Sequence, residues 1–251
     1  MIAHHTALRP GSRNWDYFDN SIEKLVEIYS TWGNQEYSYT QGNPIPPRYK
    51  FFGYGKYARK RGAIIEKKES FVSSALERGY KLGFTAGGDD HFGLYPSGSI
   101  DPDNGIYSPG IMAIWANKLT KKALWDALHN RKCYGTTGPR VIIELYLDHY
   151  FMGDIIKIEE NQNYANSRTI KMVITSPICI EKVELIRNNQ VILRIEINSN
   201  QWEEDFVDSE TFESTSFDHS IKNEKFLFYY LRVFLVNNKM AWSSPIWIIN
   251  E

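Results

Sequence analysis

Leu82-Gly83-Phe84-Thr85-Ala86-Gly87-Gly88-Asp89-Asp90-His91 is the stretch on which the reading of this chain turns. Its first five residues read as a short buried strand. Two glycines end the strand, and a polar Asp-Asp-His corner follows. Just upstream, Phe71, Val72, Ala75 and Leu76 fall at i, i+1, i+4 and i+5, one apolar helical stripe, with Gly79 able to close the helix. Earlier still, Leu25-Val26-Glu27-Ile28-Tyr29 is apolar almost throughout, as in a strand covered on both faces. Strand, helix and strand in succession argue for α/β architecture. In such folds ligands gather where strands end.

The corner itself offers metal chemistry. Asp89 and His91 are two residues apart, so on an extended segment they share a face. A carboxylate and an imidazole on one face can hold a divalent cation. Asp90 then points away and can orient a neighbour. An ordinary hydrogen-bonded turn is the competing reading of so short a motif. The opening residues add weight. Ile2-Ala3-His4 reads as the end of a short strand, which puts His4 and His5 at a second strand end. Their competing reading is a tag remnant or a solvated terminus. Potential ligands standing so close to the start suggest a chain whose natural N-terminal part is absent. Glu27, inside an apolar strand, must be paired, metal-bound or outward-facing.

Bulk composition narrows the function classes. The 251 residues are 42% hydrophobic and 14% aromatic, so a real core can be buried. Net charge is −1, from 29 basic and 30 acidic residues, which argues against nucleic-acid binding. Cys133 and Cys179 are the only cysteines. A disulfide framework and a thiolate zinc site are therefore excluded, and any metal must use His and carboxylates. No stretch is long and apolar enough for a membrane span, and no signal peptide is visible, so the default expectation is cytoplasmic.

The middle and the second half differ in style. Residues 31–58 are rich in Tyr, Pro and Gly and are read as an irregular loop packed over the fold, with Tyr37, Tyr39, Tyr49, Phe51, Phe52, Tyr54 and Tyr57 as its aromatics. Arg48, Lys50, Lys56, Arg59, Lys60 and Arg61 make a basic run there, read as a solvated face. Ile111–Ala116 reads as a strand, and Thr120 caps a helix over 121–131 whose Leu124, Trp125 and Leu128 form the buried face. After Gly138-Pro139 helical periodicity disappears. Runs 141–147, 169–175, 182–187, 191–197, 226–236 and 245–249 are β-branched or aromatic, separated by Asn-rich turns. The expectation is a β-sandwich over 139–251, after an α/β unit over 1–138.

Many short motifs together carry a family resemblance. They include His4-His5-Thr6-Ala7, Arg9-Pro10-Gly11-Ser12-Arg13, Asn14-Trp15-Asp16, Val26-Glu27-Ile28-Tyr29-Ser30, the run 75–84, Gly88-Asp89-Asp90-His91 and Thr136-Thr137-Gly138. The tail adds Tyr230-Leu231-Arg232-Val233 and 241–247. This set resembles the later motifs of PHP-type (polymerase and histidinol phosphatase) metallohydrolases, in the branch known only as a domain of unknown function. The resemblance implies the C-terminal part of a distorted (β/α)7 barrel with two or three metals, commonly zinc, manganese or iron. It implies Asp89, His91 and His4 as metal ligands, with Glu27 beside the site. His5, or else His4 or His91 where not engaged with metal, would protonate a leaving group, and Arg9 and Arg13 would bind an anionic group such as phosphate. A solvated loop with surface salt bridges is the competing reading of the two arginines.

One departure matters: the family's opening His-x-His motif and its intermediate ligands are absent. The implied function is therefore part of a metal-dependent phosphoesterase acting on a small anionic or phosphorylated substrate. It would be impaired alone, the other half being lost by truncation or supplied by a separate chain. Two other classes compete. A non-catalytic β-sandwich binding module would show an exposed Tyr/Trp strip in 140–251 and no convergence of His and Asp. An inactive fragment would fold poorly.

Overall fold

The computed structural model describes residues 1–9, 11–48, 63–89 and 107–250. His91, Asp90, Pro10 and the expected aromatic and basic residues of 49–62 lie outside the described residues.

The first part holds β1 (Ile2–Ala3), β2 (Leu25–Ser30), β3 (Gly33–Asn34), α1 (Val72–Glu77) and β4 (Gly83–Ala86). Strand β2 is central: β1 pairs with it in parallel, Ala3 opposite Val26, and β4 pairs in parallel on its other side, Val26 opposite Phe84. All six residues of β2 are buried, which explains its unbroken apolar run. Helix α1 buries Val72, Ala75 and Leu76 and links β3 to β4. Three parallel strands therefore end on the same side, and their C-terminal ends carry His4-His5, Ser30 and Gly87-Gly88-Asp89.

The rest is dominated by one large sheet. It contains β5 (Ile111–Ile114), β6 (Cys133–Thr136), β7 (Ile142–Leu147), β8 (Tyr150–Phe151), β9 (Ile155–Lys157), β10 (Arg168–Arg187), β11 (Gln190–Asp208), β12 (Phe217–Asp218), β13 (Lys225–Leu235), β14 (Lys239–Ser243) and β15 (Ile246–Asn250). α-Helices are few: α2 (Lys121–His129) and the single turn α3 (Phe212–Thr215) complete them among the described residues, beside short 3-10 turns. The fold is thus mostly β.

The sheet curls, and its strands β10 and β13 change partners along their length. Strand β10 joins the expected runs 169–175 and 182–187 into one element. Its first part pairs with β7, Ile170 to Thr175, and its second part with β13, Ile180 to Arg187. Pro177 lies at the irregularity between them, where its missing N–H and fixed φ do least harm to the ladder. The Asn188-Asn189 and Asn237-Asn238 turns all have φ between 49 and 63°, the left-handed pairs that two-residue hairpins demand. They join β10 to β11 and β13 to β14.

Strands on both sides of Gly138 belong to this sheet, since β6 pairs with β14. The core likewise runs across the chain. Val26, Ile28, Leu76 and Phe84 pack with Phe226, Phe228, Tyr230, Trp242 and Trp247 in one cluster. A buried ionic network reinforces the junction. The Glu36 carboxylate is fully buried and accepts from Arg232 Nε (3.0 Å), the Tyr230 hydroxyl (2.6 Å) and Trp242 Nε1 (2.6 Å). Arg232 Nη1 donates in turn to Glu184 (2.6 Å).

Helix α2 corrects one expectation. Thr120 caps it through Ala123 N–H (3.2 Å), but Trp125 is 69% exposed and Ala127 is the buried residue. The helix touches its neighbours along Leu124, Ala127 and Leu128, and Trp125 is one position off that line. Among the described residues, no helix is long and apolar enough to cross a membrane.

Candidate metal centre

Parallel pairing of β1, β2 and β4 brings four polar side chains to one point. His4 and His5 follow β1, Glu27 comes from β2, and Asp89 stands three residues past β4. The backbone turns sharply at two of them: φ is 48° at His5 and 46° at Asp89. Such left-handed conformations are unfavourable for residues with a Cβ and persist where the surroundings impose them. At Asp89 the chain is therefore not extended, as a shared face with His91 would require.

The distances suit one small cation. His4 Nε2 lies 3.6 Å from Asp89 Oδ1, and His5 Nε2 lies 3.3 Å from Asp89 Oδ2. Ligand atoms bound at about 2.0–2.2 Å to a tetrahedral ion stand roughly 3.3–3.6 Å apart. The ligand atoms of His4, His5 and Asp89 all lie within 4.8 Å of one another. The two imidazoles stack with centroids 3.6 Å apart. Two imidazoles and a carboxylate are donors that zinc, manganese and iron accept.

Neighbouring groups hold these three in place. Glu27 Oε2 is 2.7 Å from His4 Nδ1, which leaves His4 Nε2 turned to Asp89. The Trp32 indole N–H donates to Asp89 Oδ2. Ser30 Oγ is 3.2 Å from His5 Nε2, and Thr31 Oγ1 donates to the Gly88 carbonyl (3.0 Å). The His loop is fixed from behind, because Ala7 N–H donates to Gln35 Oε1 (3.0 Å). Gly87 has a steric role: a Cβ there would come within 2.8 Å of Glu27 Oε1.

Charge balance follows from this packing. The hydrogen bond to Asp89, then that to Glu27, raises the His4 pKa from 6.5 to about 10. Burial pushes the Asp89 carboxyl up, but the His4 hydrogen bond, the nearby His5 and the Trp32 indole outweigh it and hold its pKa below the usual range. The site therefore concentrates negative charge and retains a proton where a cation could sit. His4 is half exposed, whereas Asp89 is 10% exposed, so the open side lies at His4.

The other expected residues are less central. Arg13 donates to Glu23 (2.5 Å) and to the Tyr17 carbonyl (2.8 Å). Arg9 is exposed, and its backbone N–H donates to the Ile65 carbonyl (3.4 Å). His91 lies outside the described residues. The sequence reading missed Trp32, Ser30 and Gln35. A tryptophan two residues past a site-bearing strand was the one available signal.

Comparisons with known proteins point to a domain of unknown function. The family described as a protein of unknown function (DUF3604) matches residues 99–175. Uncharacterized proteins of Chlamydia trachomatis serovar D and Chlamydia muridarum are each 34% identical over 248 residues. A Chlamydia pneumoniae protein is 33% identical over the same length. In each case 98% of this chain aligns with 38% of the relative, so the chain spans well under half of their length. No solved structure matches.

Proposed function

We propose that this chain carries part of the divalent-metal site of a PHP-like metal-dependent hydrolase, with phosphoesters as the first substrate class. One observation carries the reading: His4, His5 and Asp89 converge from two strand ends at metal-ligand spacing. Three protein ligands with an open side match the general form of a catalytic site rather than a closed structural one.

When bound, the metal supplies an activated water and stabilises charge on the substrate oxygens. The chain's own residues do the rest. His4 Nε2, His5 Nε2 and Asp89 would hold the ion. Glu27 fixes the His4 ring through Nδ1, the carboxylate–imidazole arrangement that orients a ligand and raises its basicity. Trp32 holds one Asp89 oxygen and leaves the other for the ion. His5 is the candidate acid for the leaving group whenever it is not a ligand. The PHP-like barrel belongs to this proposal, as do zinc, manganese or iron as the metal and the supply of further ligands from outside these 251 residues. With the family's opening ligands absent from these 251 residues, the chain alone is expected to bind metal weakly and hydrolyse poorly.

The binding-module reading finds less support. Among the described residues of 140–251, the exposed large apolar side chains are Ile142, Ile155, Val191, Val207 and Ile221, none of them aromatic. The decisive experiment is metal content by mass spectrometry after equilibration with zinc or manganese, beside Asp89→Ala. Metal bound stoichiometrically and lost in Asp89→Ala is the expected result. Metal retained unchanged in Asp89→Ala overturns the proposal.

A further inference from the structure

We propose that a second site, the cavity between the end of β2 and the β13–β14 hairpin, binds an anionic group, a carboxylate or a phosphate, on the Lys239 ammonium. The cavity has a volume of about 480 Å³, and its walls include Tyr29, Arg48, Tyr107, Ser108, Thr137 and Lys239. No Asp or Glu is among the described residues that line it.

Lys239 is aimed rather than loose. Its Nζ donates to Ser108 Oγ at 2.5 Å, and Ser108 Oγ donates onward to the Thr137 carbonyl at 2.8 Å. The serine proton is thereby spent, which fixes its oxygen as the acceptor for lysine. An ammonium has three N–H donors, so two remain. Among the described residues no carboxylate pairs with Lys239. Lys81 and Lys132, also shielded from solvent, are paired with Glu224 and Asp154, and Lys182 lies 3.4 Å from Glu184.

The walls admit an anion and discourage a cation. The Tyr29 hydroxyl donates to the Ser108 carbonyl (2.6 Å) and the Tyr107 hydroxyl to the Pro46 carbonyl (3.0 Å), so neither competes for Lys239. Arg48 Nε donates to the Tyr107 hydroxyl (2.7 Å) and so fixes that wall of the cavity. Burial lowers the Lys239 pKa with no counter-charge to offset it. An anion in the cavity would relieve that cost.

The site also borders the metal corner. Tyr107 N–H donates to the Thr31 carbonyl (3.0 Å) and Arg48 N–H to the Trp32 carbonyl (2.9 Å), and Trp32 holds Asp89. The proposal does not depend on metal binding.

The test uses the full chain, stripped of metal with a chelator and titrated calorimetrically with inorganic phosphate and, separately, with acetate. Saturable binding of at least one is expected, and which one binds separates the two sources. Lys239→Gln should weaken it roughly tenfold or more, the scale of one charge-assisted hydrogen bond, while Lys239→Arg keeps it. Asp89→Ala should leave it intact, which separates this site from the metal centre. Should Lys239→Gln not fold, the Lys239 ammonium nitrogen resonance of the wild-type protein must move on titration. Absence of saturable binding, undiminished binding by Lys239→Gln, or an unmoved resonance would each overturn the assignment.

Discussion

The Trp32 indole N–H donates to the Asp89 carboxylate, which ties the turn after β2 to the residue three places past β4. Asp89 has a left-handed backbone and follows two glycines, so its position rests on its side-chain contacts. Trp32 is buried against Leu8 and Ile65, which makes it a rigid anchor. Trp32→Phe keeps most of that packing and removes the donor. Loss of such a supporting contact typically costs about 10–100-fold in metal affinity. A loss on this scale, with a nearly unchanged melting temperature, is expected in competition with a fluorescent zinc chelator. Wild-type affinity in Trp32→Phe would show that the contact does not position Asp89.

Gly87→Ala tests the other side of the centre. The added Cβ would lie 2.8 Å from Glu27 Oε1, so Glu27 or the backbone must shift. Glu27 holds His4, and the shift is transmitted to a ligand. Metal affinity should fall more than stability does. A variant weakened in stability alone would contradict this.

The buried carboxylate of Glu36 holds the two parts of the fold in register. Removing one partner of a buried ionic network leaves the other charge uncompensated and costs about 3–5 kcal/mol. Glu36→Ala should lose stability toward the lower end of that scale in urea denaturation, because Arg232 keeps Glu184 as a counter-charge while the Tyr230 hydroxyl and Trp242 Nε1 lose their acceptor. Glu36→Ala with Arg232→Met should recover part of the loss. Equal destabilisation of the single and double variants would show that packing, not charge, dominates.

His219 makes stability depend on pH. Burial first, and then the positive charge of Lys81, depress its pKa below 6.5. Its Nδ1 accepts from the backbone N–H groups of Ile221 (3.1 Å) and Lys222 (3.3 Å), bonds that a second proton would break. The unfolded chain therefore takes up the proton more readily than the folded one. This contribution is complete above the ordinary value and is lost as pH falls from about 6.5 through the lower folded pKa. Melting temperature should drop over that window. The drop should shrink in His219→Gln, and an identical pH profile would remove His219 as the cause.

Gly79→Ala probes the same corner by sterics. Gly79 has φ +85°, and a Cβ there would lie 2.4 Å from His219 Cδ2. Backbone strain and overpacking act together, so a loss of about 1–3 kcal/mol is expected in chemical denaturation. A neutral substitution would show that the His219 ring swings away freely.

Much of the local structure is legible in the sequence. Leu25–Ser30 and Gly83–Ala86 are strands because short, largely apolar runs bounded by turn residues have few other solutions. Thr120 caps its helix, and the Asn-Asn pairs form hairpin turns, because those side chains suit those backbones. The polar Asp89 corner stood out because it follows a buried strand and two glycines.

What the sequence determined by itself was the identity of the strands, turns and polar corners, since these depend on neighbours a few residues away. Only the tertiary structure decided which corners meet. The parallel pairing of β1, β2 and β4 sets His4, His5, Glu27 and Asp89 around one point. It also decided that Glu36 faces Arg232, 196 residues along the chain, and that Lys239 faces Ser108, 131 residues away. Such contacts leave little periodicity in the sequence, because burial and charge are satisfied by partners that only the packed chain brings near.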